Sequence, residues 1–467
     1  MKEKDTMARC EKCGNPIDVP YVCPYCGGKF CYEHSSREKH NCVITAQTAS
    51  TLGLRLETQK PLPAVKGKAA RNELNEVLKF EKELDSYLND LVESRLDQTT
   101  EFGKQFSVNE LALYLLELFG SVLFFDSLLS IVQQYSIADV EVVSKPGKSA
   151  MRTGFNLALF GQPGTGKTFA ALDMILGKSR KGVSAHGLPG RNRYCGGMTP
   201  ARFIEIGQAY QGRKFNFIVT EFNDWFKSRG MVEPLKVALE QGIIKKETMR
   251  GTVGPYKFTS FFSVNYNTKV QLKGYKATVG DPNFNAIEDR MLCRLHRLTR
   301  KRFEEIARSA MKFTLGEVTM SQANSIRDHL TLVHSIETKH PLVKDMFPYK
   351  PIRLTRAVYE RIVEAREAIL EYLKYKESMD FSPRLEMRAI QLACAMSLLN
   401  YFRDDKEFIT IDKEAIRLAI KFYVEEASVR SKEEFKPEWV LYDLGIYKPS
   451  ELRKPSFVDE RNTNRTL

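Results

Sequence analysis

Eight consecutive residues, Gly161-Gln162-Pro163-Gly164-Thr165-Gly166-Lys167-Thr168, have the types and spacing to hold a polyphosphate. The glycines let the backbone wrap phosphate oxygens and turn its N–H groups inward. Lys167 is suited to reach the β- and γ-phosphates, and the Thr168 hydroxyl to ligate Mg²⁺. The chemistry expected is ATP binding with Mg²⁺. Such a loop needs a strand before it and a helix after it, whose positive N-terminal end faces the anion. The apolar run from Phe155 to Phe160 predicts the strand, and the amphipathic segment from Phe169 to Leu176 predicts the helix.

A phosphate loop also needs an acidic strand that holds the Mg²⁺ shell and polarises water. The candidate is Lys214 to Phe226, where Phe217-Ile218-Val219 ends in Thr220-Glu221, with Glu221 as the expected base toward water. Leu235 to Gln241 then reads as a helix. Ile243 to Met249 and Tyr256 to Val264 read as strands, with Gly251 and Gly254-Pro255 as turn signals between them. The polar end of the second strand suits detection of the γ-phosphate, with Asn265 the first choice and Asn267 the second. Lys245, Lys246 and Arg250 put positive charge on or near the hairpin, fit for nucleic-acid phosphates but not for reading sequence. Arg290, after Asp289 and before a strand-like segment, suits an arginine finger that neutralises transition-state charge in a neighbouring subunit. Arg294 and Arg297 compete for that assignment.

From Phe155 to Arg430 the order of these motifs resembles the AAA+ module of the minichromosome-maintenance (MCM) helicases and their MoxR-type relatives. ALEQGIIKKETM, FFSVNYNT and IEDRMLCRL carry it, followed by MFPYKPIRLTRAVYERIVEAREAILEYLK and FSPRLEMRAIQLACAMSLLNYFRDDKEFITIDKEAIRLAI. The resemblance implies an α/β P-loop AAA+ core with an α-helical lid, assembly into a hexameric ring, and a basic hairpin facing a DNA channel. It implies that Arg384 is the sensor-two residue, touching the γ-phosphate as the lid closes. It also implies that Ile409 to Ile420 is the closing helix, with Thr410 as its cap. Two departures matter. Thr220 stands where the family's strand carries Asp, so ATP binding is implied more firmly than hydrolysis. There is no room for the large N-terminal collar of MCM proteins.

The N-terminus carries a second chemistry. Cys10, Cys13, Cys23, Cys26, Cys31, His34, His40 and Cys42 place eight sulfur and imidazole donors within 33 residues. Zinc takes four such ligands tetrahedrally, so the set makes two closed sites with no open catalytic position. A segment this short cannot build a sufficient core, and metal binding would supply its folding free energy. The spacing resembles the AN1-type zinc finger across all eight ligands. That resemblance implies two interleaved Zn²⁺ sites, Cys10, Cys13, Cys31 and His34 in one and Cys23, Cys26, His40 and Cys42 in the other. Phe30 and Tyr32 are the expected miniature core, and docking of a protein partner the expected role.

These motifs divide the chain into a zinc finger (8–45), a polar linker with two prolines (46–72), a helical connector (73–150), the core (151–300), the lid (301–430) and a C-terminal tail (431–467). In the connector, apolar spacing predicts a helix from Glu73 to Leu96, and Ser107 with Glu110 predicts a capping box. In the tail, Trp439, Tyr442 and Tyr447 are expected to dock onto the lid. A net charge of +13 and a pI of about 9.1 favour a polyanionic partner, nucleic acid ahead of acidic membrane. The oily stretch LALYLLELFGSVLFFDSLLSIV is broken by Glu117 and Asp126 and reads as a buried helix pair rather than a membrane span. The charged start lacks a signal core and the cysteines cluster as metal ligands, so an intracellular location is expected, cytoplasmic or nucleoid-associated. The function expected is an oligomeric ATP-dependent motor on DNA, a helicase or translocase in replication. ATP would lie between Lys167, Thr168 and Glu221 of one subunit and Arg290 of the next. Two alternatives stay open: a MoxR-like protein-remodelling chaperone recruited through the finger, and an ATP-binding switch with weak hydrolysis.

Overall fold

The computed structural model describes residues 8–17, 20–23, 28–35, 39–40, 68–145, 148–227, 230–248, 251–267, 287, 289–296, 298–431 and 434–446. After the zinc finger come four helices: α1 (Lys68–Ser94), α2 (Leu96–Gln105), α3 (Val108–Phe119) and α4 (Phe124–Ser136). Val77, Leu84, Leu88 and Leu91 form the buried stripe of α1, at the three-, four- and seven-residue spacing of one helix face. Ser107 caps α3 as predicted, its hydroxyl oxygen accepting the Asn109 N–H at 3.1 Å. The same hydroxyl donates to the Glu110 carboxylate.

β1 (Glu141–Lys145) and β2 (Lys148–Arg152) lead into an α/β core. It comprises β3 (Leu157–Gly161), β4 (Asn192–Cys195), α5 (Pro200–Ala209), β5 (Asn216–Val219), α6 (Val232–Gln241), the antiparallel hairpin of β6 (Ile243–Thr248) and β7 (Gly251–Lys257), β8 (Phe261–Asn267) and β9 (Leu292–His296). Five of these strands make one parallel sheet in the order β9-β3-β8-β5-β4. Both faces are covered. Leu157, Leu159, Ile218 and Leu292 point into one hydrophobic cluster; Ala158, Phe160, Phe217, Val219, Phe262 and Val264 point into another. A sheet buried on both sides reads as unbroken apolar runs, which is why LALF and FIV show no polar alternation.

Past the sheet lie α7 (Arg300–Thr314), α8 (Ala323–Glu337), β10 (Ile352–Arg353), α9 (Arg356–Tyr372), α10 (Arg384–Ser397), β11 (Ile409–Thr410), α11 (Lys413–Arg430) and α12 (Pro437–Asp443). β11, β10, β1 and β2 form a second sheet, in which Ile352 pairs with both Val142 and Ile409. This sheet ties the segment before the core to the segment after it. The same cluster holds Leu128 and Val132 of α4 with Leu392, Met396 and Phe422 of α10 and α11.

Four local expectations are corrected. Tyr256 to Val264 is not one strand. The Thr259 and Ser260 hydroxyls both donate to the Arg213 carbonyl, at 2.9 and 2.8 Å, and break the run between β7 and β8. Gly251 and Gly254-Pro255 therefore lie within β7 rather than between strands. Thr410 does not cap the closing helix: it pairs with Arg353, while the Asp412 carboxylate accepts the Ala415 N–H at 2.7 Å and caps α11. Trp439 and Tyr442 are exposed, and Val440 and Leu441 bury the tail helix instead; Tyr447 lies outside the described residues. In the finger, Tyr32 is 42% exposed, and the small core is Cys10, Ile17, Cys23 and Phe30.

Candidate functional site

In a parallel sheet all strands point the same way, so residues at their C-terminal ends share one edge. β8 lies between β3 and β5, with Asn265 opposite Leu159 and Val264 opposite Val219. The loop from Gly161 to Thr168, Asn265 and the Thr220-Glu221 turn thus meet at that edge. Asn265 is buried, and its Nδ2 donates to Thr168 Oγ1 at 3.3 Å. Its Oδ1 is buried with no hydrogen-bond partner. The Phe222 N–H donates to the Asn265 carbonyl at 3.2 Å, which holds the Glu221 turn beside it. Thr220 Oγ1 lies 3.2 Å from the Tyr194 hydroxyl. The side chain of Asn267 lies outside the described residues.

Gly166 has φ +90°, a conformation that side chains rarely adopt, and it lets the loop curl. Lys167, 4% exposed, lies across the curl and donates to the Gly161 and Gln162 carbonyls at 2.8 and 2.7 Å. Burial pulls the Lys167 ammonium down to about 8; Glu221 pulls it up and Arg302 pushes it further down. Glu221 is exposed at the rim. Beside Gly166 opens a cavity of about 580 Å³, walled by Phe119, Leu123, Phe169, Ile306 and Phe313, with Asp126, Arg180 and Lys181 also on its lining. Its largely apolar walls and size suit a flat heterocycle next to the polar curl of the loop.

Sequence reasoning missed the residues behind the loop. Arg302, buried at the start of α7, donates to the Thr165 carbonyl and to Asp126, both at 2.9 Å. Asp126 also lies 2.9 Å from His296 Nε2 and 3.7 Å from Arg294. Arg294 continues to Glu425 at 2.6 Å and Glu426 at 3.5 Å on α11. Burial alone would raise the Asp126 carboxyl, but His296 and Arg302 outweigh it and hold it below the usual carboxylate range. Burial lowers His296 to about 4 despite Asp126, with Arg302 pushing the same way as burial. The available signal was Asp126 itself, an acid inside an oily helical run.

Arg290, expected to serve a neighbouring subunit's phosphate, and Arg384, expected to reach the γ-phosphate as the lid closes, both lie away from their own chain's loop. Arg290 and Arg384 precede or flank the N-terminal end of β9, the edge opposite the loop. Arg290 pairs with Glu240 at 2.5 Å, and Arg384 lies 3.6 Å from Asp289. α10 is fixed at that edge by Gln391, which donates to the Arg152 and Gly154 carbonyls. The length of β9, five residues or roughly 13 Å at about 3.3 Å per step, separates this end from the loop. Arg297 and Arg250 lie outside the described residues. On the hairpin, Lys245 and Lys246 are exposed, and Lys245 pairs with Glu247 at 2.7 Å.

The zinc centre is built by two short hairpins. Ala8–Arg9 pairs with Pro16–Ile17 and Tyr21–Val22 with Lys29–Phe30, and a single helical turn follows at Tyr32–His34. They bring the ligand atoms of Cys10, Cys13, Cys31 and His34 within 4.8 Å of one another. Individual edges are 3.8 Å (Cys13 to Cys31), 3.7 Å (Cys10 to His34 Nδ1) and 3.3 Å (Cys31 to His34 Nδ1). A tetrahedron with about 2.3 Å Zn–S bonds has sulfur–sulfur edges near 3.8 Å, so the set fits zinc. Burial pushes the Cys10 thiol up, but N–H groups of Cys31, Cys13 and Lys12 outweigh it and bring it down to about 6, favouring the thiolate that a metal needs. His40 stacks on Phe30 at 3.9 Å, and its Nδ1 lies 2.9 Å from the His34 carbonyl oxygen. Cys26 and Cys42 lie outside the described residues, and with them the second of the two zinc sites expected.

Residues 9–47 match the profile of the AN1-like zinc finger family. The N-terminal segment is an AN1-type zinc finger with a Cys10, Cys13, Cys31, His34 site. Comparison with curated proteins gives no match. Among the described residues no helix is long and apolar enough to cross a membrane.

Proposed function

We propose that this protein is a ring-forming AAA+ ATPase of the MCM and MoxR-type group that acts on DNA as a helicase or translocase. The observation that carries the reading is the meeting of Gly161 to Thr168, Asn265 and Thr220-Glu221 at one edge of a parallel sheet. Phosphates would sit in the loop with Lys167, Mg²⁺ would be held at Thr168, and the base would enter the apolar cavity beside Gly166. Bound Mg²⁺ would neutralise charge on the phosphates. Glu221 would take the proton of the attacking water. Asn265, joined to Thr168 at one end and unengaged at the other, would orient that water or sense the phosphate. A buried polar atom without a partner calls for such an explanation. Arg290 and Arg384 lie too far away to serve their own chain's phosphate, so in this reading both act on a neighbour's. The charge of +13 and the exposed lysines of the hairpin support a DNA partner. A second zinc bound by Cys23, Cys26, His40 and Cys42 belongs to the same proposal.

One observation favours a switch with weak hydrolysis instead. Thr220 stands at the usual Asp position, and its hydroxyl neighbours Tyr194 rather than a carboxylate. ATP turnover measured with and without single-stranded and forked DNA separates the readings. Stimulation by DNA supports the motor. ATP binding without turnover, relieved by Thr220→Asp, supports the switch. Ring assembly with turnover indifferent to DNA moves the reading to a protein-remodelling chaperone recruited through the finger. Turnover that survives Lys167→Ala would refute the nucleotide site altogether.

A further inference from the structure

The phosphate loop is gripped from behind. Thr165 O accepts from Arg302 at 2.9 Å, and the same guanidinium nitrogen donates to Asp126 at 2.9 Å. In a trans peptide the carbonyl and the following N–H point in opposite directions. Drawing Thr165 O toward α7 therefore turns the Gly166 N–H away from α7. The grip is fixed from four elements: Arg302 on α7, Asp126 on α4, His296 and Arg294 on β9, and Glu425 with Glu426 on α11. His296 pairs in register with Gly161, the first residue of the loop, so the network touches the loop at its start as well as at Thr165. We propose that Arg302 is a positioning residue for phosphate binding, which locks the Thr165–Gly166 peptide so that the Gly166 N–H is presented to the nucleotide phosphates. The inference rests on the nucleotide reading above. It adds a residue outside the loop, and a reason for Asp126 to be charged inside an apolar helix pair.

The role is not that of a generic buried ion pair. Asp126 keeps Arg294 at 3.7 Å beside it, and Lys421 shares the charge of Glu425, so removing the Arg302 charge still leaves the carboxylate one cationic neighbour. Arg302→Met is the test variant, and Arg302→Lys keeps a donor and a charge in nearly the same volume. Three measurements on the full-length protein decide: thermal midpoint, amide hydrogen exchange of the peptides spanning 161–168 without nucleotide, and ADP affinity by calorimetry. The expected result for Arg302→Met is a folded protein with a lowered midpoint, exchange that quickens most in the loop, and ADP binding weakened about tenfold or more, the size of a lost charged hydrogen bond. Arg302→Lys should recover most of that affinity. Unchanged loop exchange and ADP affinity in a folded Arg302→Met overturn the clamp alone. A weakening that tracks a fall in midpoint and is not rescued by Lys reduces Arg302 to a structural residue and overturns it too. Wild-type protein that binds no ADP overturns the nucleotide reading first, and the clamp's purpose with it.

Discussion

If the loop from Gly161 to Thr168 holds a nucleotide as proposed, Lys167 makes its affinity a titration. Its ammonium sits in a buried curl with Arg302 nearby, and its protonation midpoint is drawn down to about 8. Binding a polyphosphate adds negative charge beside it and raises that midpoint. Binding must therefore take up a proton wherever free Lys167 is neutral. The sign follows: affinity is flat below about pH 7 and falls as pH rises through 8. The protonated fraction drops from about 0.9 at pH 7 to about 0.1 at pH 9, so the dissociation constant should rise about tenfold, or about 1.4 kcal/mol. The last phosphate proton, with a pKa near 6, is already gone over this range. Calorimetry of ADP binding at pH 7, 8 and 9, in buffers of different ionisation enthalpy, reads both the affinity and the proton. About half a proton should be taken up at pH 8. Lys167→Arg stays charged throughout and should show neither effect. A wild-type affinity that is flat from pH 7 to 9, or an equal loss in the arginine variant, would refute the reasoning.

Three further outcomes follow from the geometry. Cys13→Ser should lower bound zinc by at least about one equivalent per chain, measured by atomic emission, because a closed four-ligand site loses its metal when one thiolate goes; unchanged zinc would remove Cys13 from the site. Gly190→Ala should destabilise by about 2 kcal/mol or more, since Gly190 has φ +59° and an added Cβ would stand 2.0 Å from the Phe80 carbonyl oxygen of α1; a wild-type thermal midpoint would show that α1 moves aside at little cost. Burial raises Glu337 to about 8, although the Lys350 N–H pulls the other way. Its folded midpoint thus lies above the unfolded one, so its contribution is full below about pH 4.5 and is lost as pH rises toward 8. Glu337→Gln should raise the thermal midpoint at pH 8.5 and leave it nearly unchanged at pH 5; an equal effect at both would show that the carboxyl is not held protonated.

How much of this was legible in the sequence depended on whether a feature is local. The zinc site of Cys10, Cys13, Cys31 and His34 was legible as a spacing pattern, and the run Gly161 to Thr168 as eight residues after an apolar strand; both patterns are short-range and need no three-dimensional information. The division of Tyr256 to Val264 was hidden because it depends on hydroxyls of Thr259 and Ser260 meeting Arg213, which is 46 and 47 residues away. The cap of α11 went to Thr410 because strand pairing of Ile409–Thr410 with Ile352–Arg353 is invisible without the second sheet. Arg302 was the least legible of all. TRKRFEE looks like any basic helix start, and only the fold brings Arg302 against Thr165, 137 residues earlier.

The same separation of local from global bears on assembly. A sensor-two arginine and an arginine finger are defined by where they touch phosphate, but sequence order gives only which strand or helix carries them. Arg290 and Arg384 sit together, around Asp289, at the edge of the sheet where β9 begins. Lys167, Thr168 and Asn265 sit where the strands end. The strand between them is roughly 13 Å long at about 3.3 Å per residue, and the Glu240 and Asp289 contacts keep both arginines on their own side. If either guanidinium serves a phosphate, the phosphate must belong to another copy whose loop edge meets this arginine edge. Two different surfaces then face each other, a heterologous contact that closes only as a ring or runs on as a filament. Self-association is thus a geometric condition of the ATPase reading, and a strictly monomeric chain with full turnover would leave Arg290 and Arg384 without a catalytic role.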